Sequence, residues 1–184
     1  SNEHLEDTAL LSGHAALILG DTDLAETMFL QSADPLQALQ MHRDLLNWEM
    51  AMSLAEKSAP AEIPYISREY AQQLEFQSQA SKSLSLYEQG ITGKAEDGRH
   101  DNLCRAGMAR MLIRNGDVRS GMQIAEQLNV RQLWRDCAQI LNQTGQYAEA
   151  AELYKKGEQY DKAAGMFIRM KAWGEVETLI ERMQ

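Results

Sequence analysis

His100 and Cys104 stand four residues apart, so a helix places both on one face, where an imidazole and a thiolate suit a zinc ion. A protein zinc site takes three or four such ligands. Only Asp97 and Asp101 lie close in sequence. The pattern therefore reads as the start of a helix whose acidic residues, Asp101 above all, favour the positive end of the helix dipole. Glu149 and Glu152 could form a pair of carboxylates for general acid–base work. With 27 acidic residues in the chain, such pairs arise by chance. His14 and His42 sit in helical segments without ligand-type neighbours and read as packing or surface residues. No GxxxxGK phosphate loop and no nucleophile elbow occurs. Catalytic, metal and cofactor-binding residues are thus expected to be none, and the chain is expected not to be an enzyme.

What remains is chemistry of contact. Arg105, Arg110, Arg114 and Arg119, joined by Arg131 and Arg135, form the one conspicuous basic group. Such a group is most simply a solvated face; the alternative is a protein interface that meets an acidic partner subunit or an acidic membrane headgroup. Trp48, Trp134 and Trp173 are the type of residue that anchors interfaces. All three sit on apolar stripes, which favours the core. Ten methionines fill gaps between helix layers in the same reading.

The elements that position these residues are helices. Leu11, Ala15, Ile18 and Leu19 make a first stripe that Gly20-Asp21 ends. Ala25, Met28 and Phe29 mark a second helix. Asp34-Pro35, read as N-cap and first helical residue, starts a third with Ala38, Met41 and Leu45 inward. Trp48, Ala51, Met52 and Ala55 share one face of the next. Pro60 and Pro64 break the chain, and a helix restarts near Tyr65 with Ile66, Tyr70 and Leu74 inward. Ala80, Leu84, Tyr87 and Ile91 follow. Residues 90–98 form a Gly-punctuated polar loop, the expected flexible point and the weak candidate for a boundary. Beyond it come Cys104, Met108 and Met111; Met122 and Ala125; and Val130, Leu133, Trp134, Cys137, Ala138 and Leu141, the cleanest amphipathic pattern. Tyr147, Ala150, Ala151 and Tyr154 precede Tyr160, Ala163, Ala164, Phe167 and Ile168. Trp173, Val176, Leu179, Ile180 and Met183 close the series. About twelve helices joined by short turns are predicted, within one domain over residues 1–184.

Composition agrees. Apolar residues make up 44% of 184, enough for a core, and the strong helix formers dominate while only three prolines occur. A net charge of −9 lacks the basic footprint of a nucleic-acid binder. Two isolated thiols, Cys104 and Cys137, suit a reducing compartment. No apolar run reaches membrane-spanning length, and no signal peptide opens the chain. Ser1-Asn2 has the look of a remnant of an expression tag, and neither end carries a polar cap, as expected of a piece of a longer chain.

One stretch is written twice at a fixed offset of 125 residues. Gly20, Ala25, Ala38, Met41 and Trp48 recur as Gly145, Ala150, Ala163, Met166 and Trp173, with Tyr154 for Phe29. A weaker third copy matches Leu86-Tyr87-Glu88-Gln89-Gly90 to Leu153-Tyr154-Lys155-Lys156-Gly157. The alanines let two helices approach, the aromatic fills the groove beside them, the Gly or Ser after it permits a tight turn, and the Trp covers the open end. A hairpin of this kind cannot bury its apolar face alone, so neighbours must stack. Repeat arrays offer surfaces for binding rather than pockets for chemistry.

Tetratricopeptide-like repeats fit this period, although their strict consensus is poorly kept. The pattern Gly145-Gln146-Tyr147-Ala148-Glu149-Ala150-Ala151-Glu152-Leu153-Tyr154, then Tyr160-Asp161-Lys162-Ala163-Ala164 and Trp173, resembles the helical tails of propeller-plus-solenoid transport proteins. Further strings are similar to the intraflagellar transport protein 144 family of complex A: Ile63-Pro64-Tyr65-Ile66-Ser67-Arg68-Glu69-Tyr70-Ala71, Gln73-Leu74-Glu75-Phe76, Tyr87-Glu88-Gln89-Gly90-Ile91-Thr92-Gly93, Arg135-Asp136-Cys137, and Ala38-Leu39 with Met41 and Arg43-Asp44-Leu45. The resemblance covers residues 4–184. It implies an all-α, right-handed helical-hairpin solenoid of tetratricopeptide-like repeats. It further implies a non-catalytic scaffold or adaptor in complex A assembly, retrograde ciliary transport and receptor entry into cilia. Implied partners are other complex A subunits and membrane-receptor cargo adaptors; implied locations are the axoneme, basal body and cytoplasm. The alternative of the same architecture is a vesicle-coat or cargo-recognition module. The family supplies no binding motif to place on individual residues.

Overall fold

Short turns between amphipathic segments bring each helix back against its predecessor. The computed structural model describes residues 2–183, with side chains described for 8–181. Ser1, Gln184 and the Met183 side chain of the last predicted stripe lie outside them. Among the described residues there are twelve α-helices and no strand: α1 Asn2–Ile18, α2 Thr22–Gln31, α3 Leu36–Asp44, α4 Trp48–Ser58, α5 Ile63–Phe76, α6 Ala80–Gln89, α7 Gly98–Arg114, α8 Val118–Leu128, α9 Arg131–Gln143, α10 Tyr147–Lys156, α11 Tyr160–Arg169 and α12 Trp173–Met183. None is long and apolar enough to cross a membrane. Pro60 opens a single 3-10 turn, and Pro64 sits in the first turn of α5, where a missing N–H costs nothing.

The chain divides into two compact units, residues 1–70 and 71–184. Each is a run of helical hairpins packed on sequential neighbours, the helical-hairpin solenoid arrangement. In the first unit, α1 to α4 each meet the next helix. Ala16, Ala25, Phe29, Ala38 and Met41 form one core cluster; Leu39, Trp48, Ala51, Ala55 and Ile66 form another. The Trp48 indole stacks on the Tyr70 ring with centroids 5.9 Å apart. In the second unit, α7 lies against α6, α8 and α9, and α9 to α12 pack in succession. Its main cluster runs from Ala109 to Leu179 and contains Trp134, Cys137, Ala150, Tyr154, Ala163 and Phe167.

The written repeat is also a repeat of geometry. Ala25, Ala38, Ala150 and Ala163 are all fully buried, as are Phe29 and Tyr154. Both copies end their helices in the same Schellman turn. Gly20 and Gly145 have φ +80°, and the next amides, Asp21 and Gln146, donate back to Ala16 and Leu141. Leu46 and Lys171 occupy the next such turn at φ +56° and +59°, with Asn47 and Ala172 donating to His42 and Phe167. A left-handed leucine is disfavoured by about 1–2 kcal/mol, and Leu46 is exposed. Leu46→Gly should therefore raise stability by about 0.5–1 kcal/mol, part of the relief being lost to the greater chain entropy of glycine. A urea midpoint equal to or below that of the parent would contradict this.

Several expected faces turn out differently. The α1 stripe Leu11, Ala15, Ile18 and Leu19 points to solvent, with Ile18 86% exposed, while Gly13 and Ala16 face inward. The reason is steric: a Cβ on Gly13 would stand 2.6 Å from the Phe29 ring, so only small residues fit that side. Leu45 is exposed because it caps α3 rather than lying within it. Pro35, not Asp34, is the cap of α3, and the Asp34 carboxylate accepts instead from the Gln37 side chain at 2.9 Å. Val130 caps α9 and is half exposed, and Tyr160, Ile168 and Ile180 also meet solvent. Gly157 has φ −80°, so it is not the left-handed residue of its turn; Glu158 is, at φ +56°. A side chain at position 157 would instead strike Arg135, whose Cγ lies 2.8 Å from the would-be Cβ.

Trp48 is 7% exposed, but its repeat counterpart Trp173 is 59% exposed. The cover differs: Tyr70 stacks on Trp48, while the Trp173 ring faces solvent. Trp173→Ala should thus cost less than about 1 kcal/mol in this chain, against about 3–5 kcal/mol for Trp48→Ala. Comparable urea midpoints for the two variants would show that Trp173 is covered in solution.

Candidate protein interface

The residues weighed for chemistry are held by structure. His100 is buried and its Nε2 lies 2.7 Å from the Gly90 carbonyl oxygen and 3.7 Å from Cys104 Sγ. Asp101 is buried beside it. Its carboxylate accepts the Thr92 amide at 2.9 Å, the Thr92 hydroxyl at 3.1 Å and the Gly93 amide at 2.9 Å. Burial alone would raise the Asp101 pKa; these donors outweigh it and hold the carboxyl below its usual range. The pair thus ties the α6–α7 loop to the start of α7. Among the described residues no group of three or more His, Cys, Asp or Glu could hold a metal ion. Burial pushes the Cys137 thiol up to about 12, the wrong direction for a nucleophile. His42 does find a partner that spacing did not suggest, Glu26 at 3.2 Å, and His14 meets the edge of Phe29.

The six arginines do not form one patch. Arg131 donates to Glu158 at 2.7 Å, and Arg135 Nε donates to the Gly157 carbonyl at 2.7 Å, so both serve the α10–α11 turn. Arg105 on α7 and Arg119 on α8 are exposed. Arg110 is drawn into a network: its Nε and Nη2 reach the two Glu75 oxygens at 2.6 and 2.9 Å, and the Tyr87 hydroxyl donates to Glu75 at 2.7 Å. Tyr87 can lie there because Gly107 leaves room for its ring. Burial would raise the Glu75 pKa, but the hydrogen bonds and charge of Arg110, with the Tyr87 hydroxyl, hold it below the ordinary value. Burial and the Glu75 carboxylate both push the Tyr87 phenol up. Arg114 remains exposed, one turn beyond Arg110 on the same face.

That face carries more than charge. Arg99, Asn102, Leu103, Ala106 and Arg110 recur at helical spacing along α7, opposite Gln132, Leu133 and Asp136 of α9. Between them lies an open, largely apolar groove of about 590 Å³, floored by Leu103, Ala106, Leu128, Val130 and Leu133. Arg110 also borders two adjoining depressions that include Arg114 and the Phe76 ring at the end of α5. Phe76 is 91% exposed. The stripe was legible at i, i+3, i+4, i+7 and i+11, but the competing inward stripe through Cys104 and Met111 concealed it.

No protein-family model matches the chain. Curated relatives do. The chain is 47% identical over 96% of its length to mouse and human WD repeat-containing protein 19, and 43% identical over 99% of its length to WD repeat-containing protein dyf-2 of Caenorhabditis elegans. It is homologous to a segment of WD repeat-containing protein 19. The chain spans 13% of the length of each relative. WD repeats are four-stranded blades, and the described residues hold no strand. The likeness to WD repeat-containing protein 19 therefore concerns a helical region outside its repeats.

Proposed function

We propose that this chain is a non-catalytic scaffold and adaptor region that helps assemble an intraflagellar transport complex A, and through it supports retrograde ciliary transport and entry of receptors into cilia. The observation that carries the reading is identity of 43–47% to WD repeat-containing protein 19 and dyf-2 along nearly all of a chain built as stacked hairpins. The mechanism is geometric. Close-packed alanine seams hold neighbouring helices in register, and the outward faces of each unit present fixed patterns of side chains to partner subunits. Its place would be the cilium, with axonemal, basal-body and cytoplasmic pools.

Crosslinking mass spectrometry on the assembly from ciliated cells tests this. Crosslinks from this segment to other complex A subunits are expected; recovery of coatomer in their place would overturn it. Arg105, Arg114 and Arg119 are the predicted interface arginines that are exposed and in no ion pair among the described residues, so their charge reversal should weaken subunit binding and flatten its salt dependence. Unchanged affinity and salt dependence would remove these residues from the interface.

A further inference from the structure

We propose that the groove between α7 and α9 binds an acidic amphipathic peptide segment of a partner protein, its apolar side chains seated on Leu103 and Val130 and its carboxylates held by Arg99 and Arg114. The proposal rests on reading this chain as a binding surface, but it is independent of which assembly the chain serves.

Three observations lead to it. The groove is large enough, at about 590 Å³, to take several side chains, and its floor is apolar. Leu103 is 44% and Val130 50% exposed, although the next residue after Leu103 on α7, Cys104, is fully buried. Apolar side chains gathered in an open concavity mark a site that something covers. The third observation is charge. The chain as a whole carries −9, yet the groove and its extension toward Phe76 hold Arg99, Arg110 and Arg114 against Glu75 and Asp136. Arg110 is consumed by Glu75. Asp136 accepts from Gln132 within its own helix. Neither Arg99 nor Arg114 forms an ion pair among the described residues, although the Arg114 charge is felt at Glu75, so two guanidiniums flank an apolar trough. A guanidinium fork selects carboxylates. A helix laid in a groove is read by apolar residues at every third or fourth position, so the matching ligand is such a segment with Asp or Glu beside them. Nucleic acid would meet Asp136 and an apolar floor, and suits neither.

The test is selection from a random-peptide display library on the intact chain, followed by fluorescence anisotropy with the synthetic consensus peptide. The selected peptides should carry apolar residues at helical spacing flanked by Asp or Glu. Leu103→Glu and Val130→Glu change exposed positions and should each weaken the consensus peptide about tenfold or more, with helicity unchanged. Two such variants guard against one that disturbs folding. Arg99→Glu with Arg114→Glu should weaken it about tenfold and abolish its salt dependence, and should improve binding of the same peptide with lysines in place of its acids. A basic consensus, the absence of any consensus, or affinity indifferent to Leu103→Glu and Val130→Glu would overturn the proposal. Failure here with complex A crosslinks intact would remove this groove while leaving the proposed assembly role standing.

Discussion

Ala163→Glu is expected to destabilise the chain by about 3–5 kcal/mol, as much as any single change considered, with Ala150→Glu close behind. Both alanines are completely buried within one apolar cluster of the second unit, where α10 and α11 meet. A carboxylate there has no cationic partner and no room. It must be desolvated or expelled, and expulsion separates the helices whose contact the alanine exists to permit. Ala148→Glu is the control. It lies two residues from Ala150 on the solvent side of α10, so the same added charge should leave the urea midpoint within about 0.5 kcal/mol of the parent. Equal unfolding of Ala163→Glu and Ala148→Glu would contradict a close-packed α10–α11 seam.

The second large effect is expected at Glu75. Glu75→Ala removes the acceptor that satisfies both Arg110 and the Tyr87 hydroxyl, leaving a largely buried guanidinium and a fully buried phenol without it. Breaking one side of a buried pair costs about 3–5 kcal/mol; with both side chains about one-fifth exposed, water recovers part of that, and about 2–3 kcal/mol is expected. The sign of the pH dependence follows. The Glu75 pKa is lowered in the folded chain from an ordinary value of 4.5, so its contribution is present above that value and is lost as pH falls through the depressed folded value. Stability of the parent should therefore decline on acidification below about 4.5, and Glu75→Gln should decline less over the same window. Parallel curves for the two chains would place the acid sensitivity elsewhere, with Asp101 the next carboxyl to replace. Glu75→Gln combined with Arg110→Met should recover part of the loss seen in Glu75→Ala, because no charge is then left without its counterion.

The hairpin stack was legible because its signal is doubled: helical spacing selects a face, and the recurrence of Ala25 and Ala38 as Ala150 and Ala163 selects the same face again. Where only one signal existed, it misled. The apolar residues of α1, from Leu10 through Ile18, surround the helix, so periodicity alone gave no face. What decided it was the bulk of Phe29, sixteen positions beyond Gly13, a fact about shape that no spacing rule contains. Trp173 shows the converse: its type and repeat position match Trp48, but burial belongs to the neighbour, and the Tyr70 ring covers Trp48 while Trp173 stays 59% exposed. The candidate interface was read from charge density along the chain. Folding sends Arg131 and Arg135 to the α10–α11 turn and spends Arg110 on Glu75, while Arg99, nearest the start of α7, joins Arg114 on the groove face. Residues adjacent in sequence point apart on a helix, so a run of like charges carries little information about a patch.

The matched Schellman turns carry a consequence for engineering. Gly20 and Gly145 bend the backbone to the same φ, and so do Leu46 and Lys171, although the latter two share neither size nor polarity. The joint is thus specified by how many residues separate one rod from the next rather than by what those residues are. The stretch from Gly20 to Trp48 and the stretch from Gly145 to Trp173 thus share the turn geometry at which an array could be cut and rejoined.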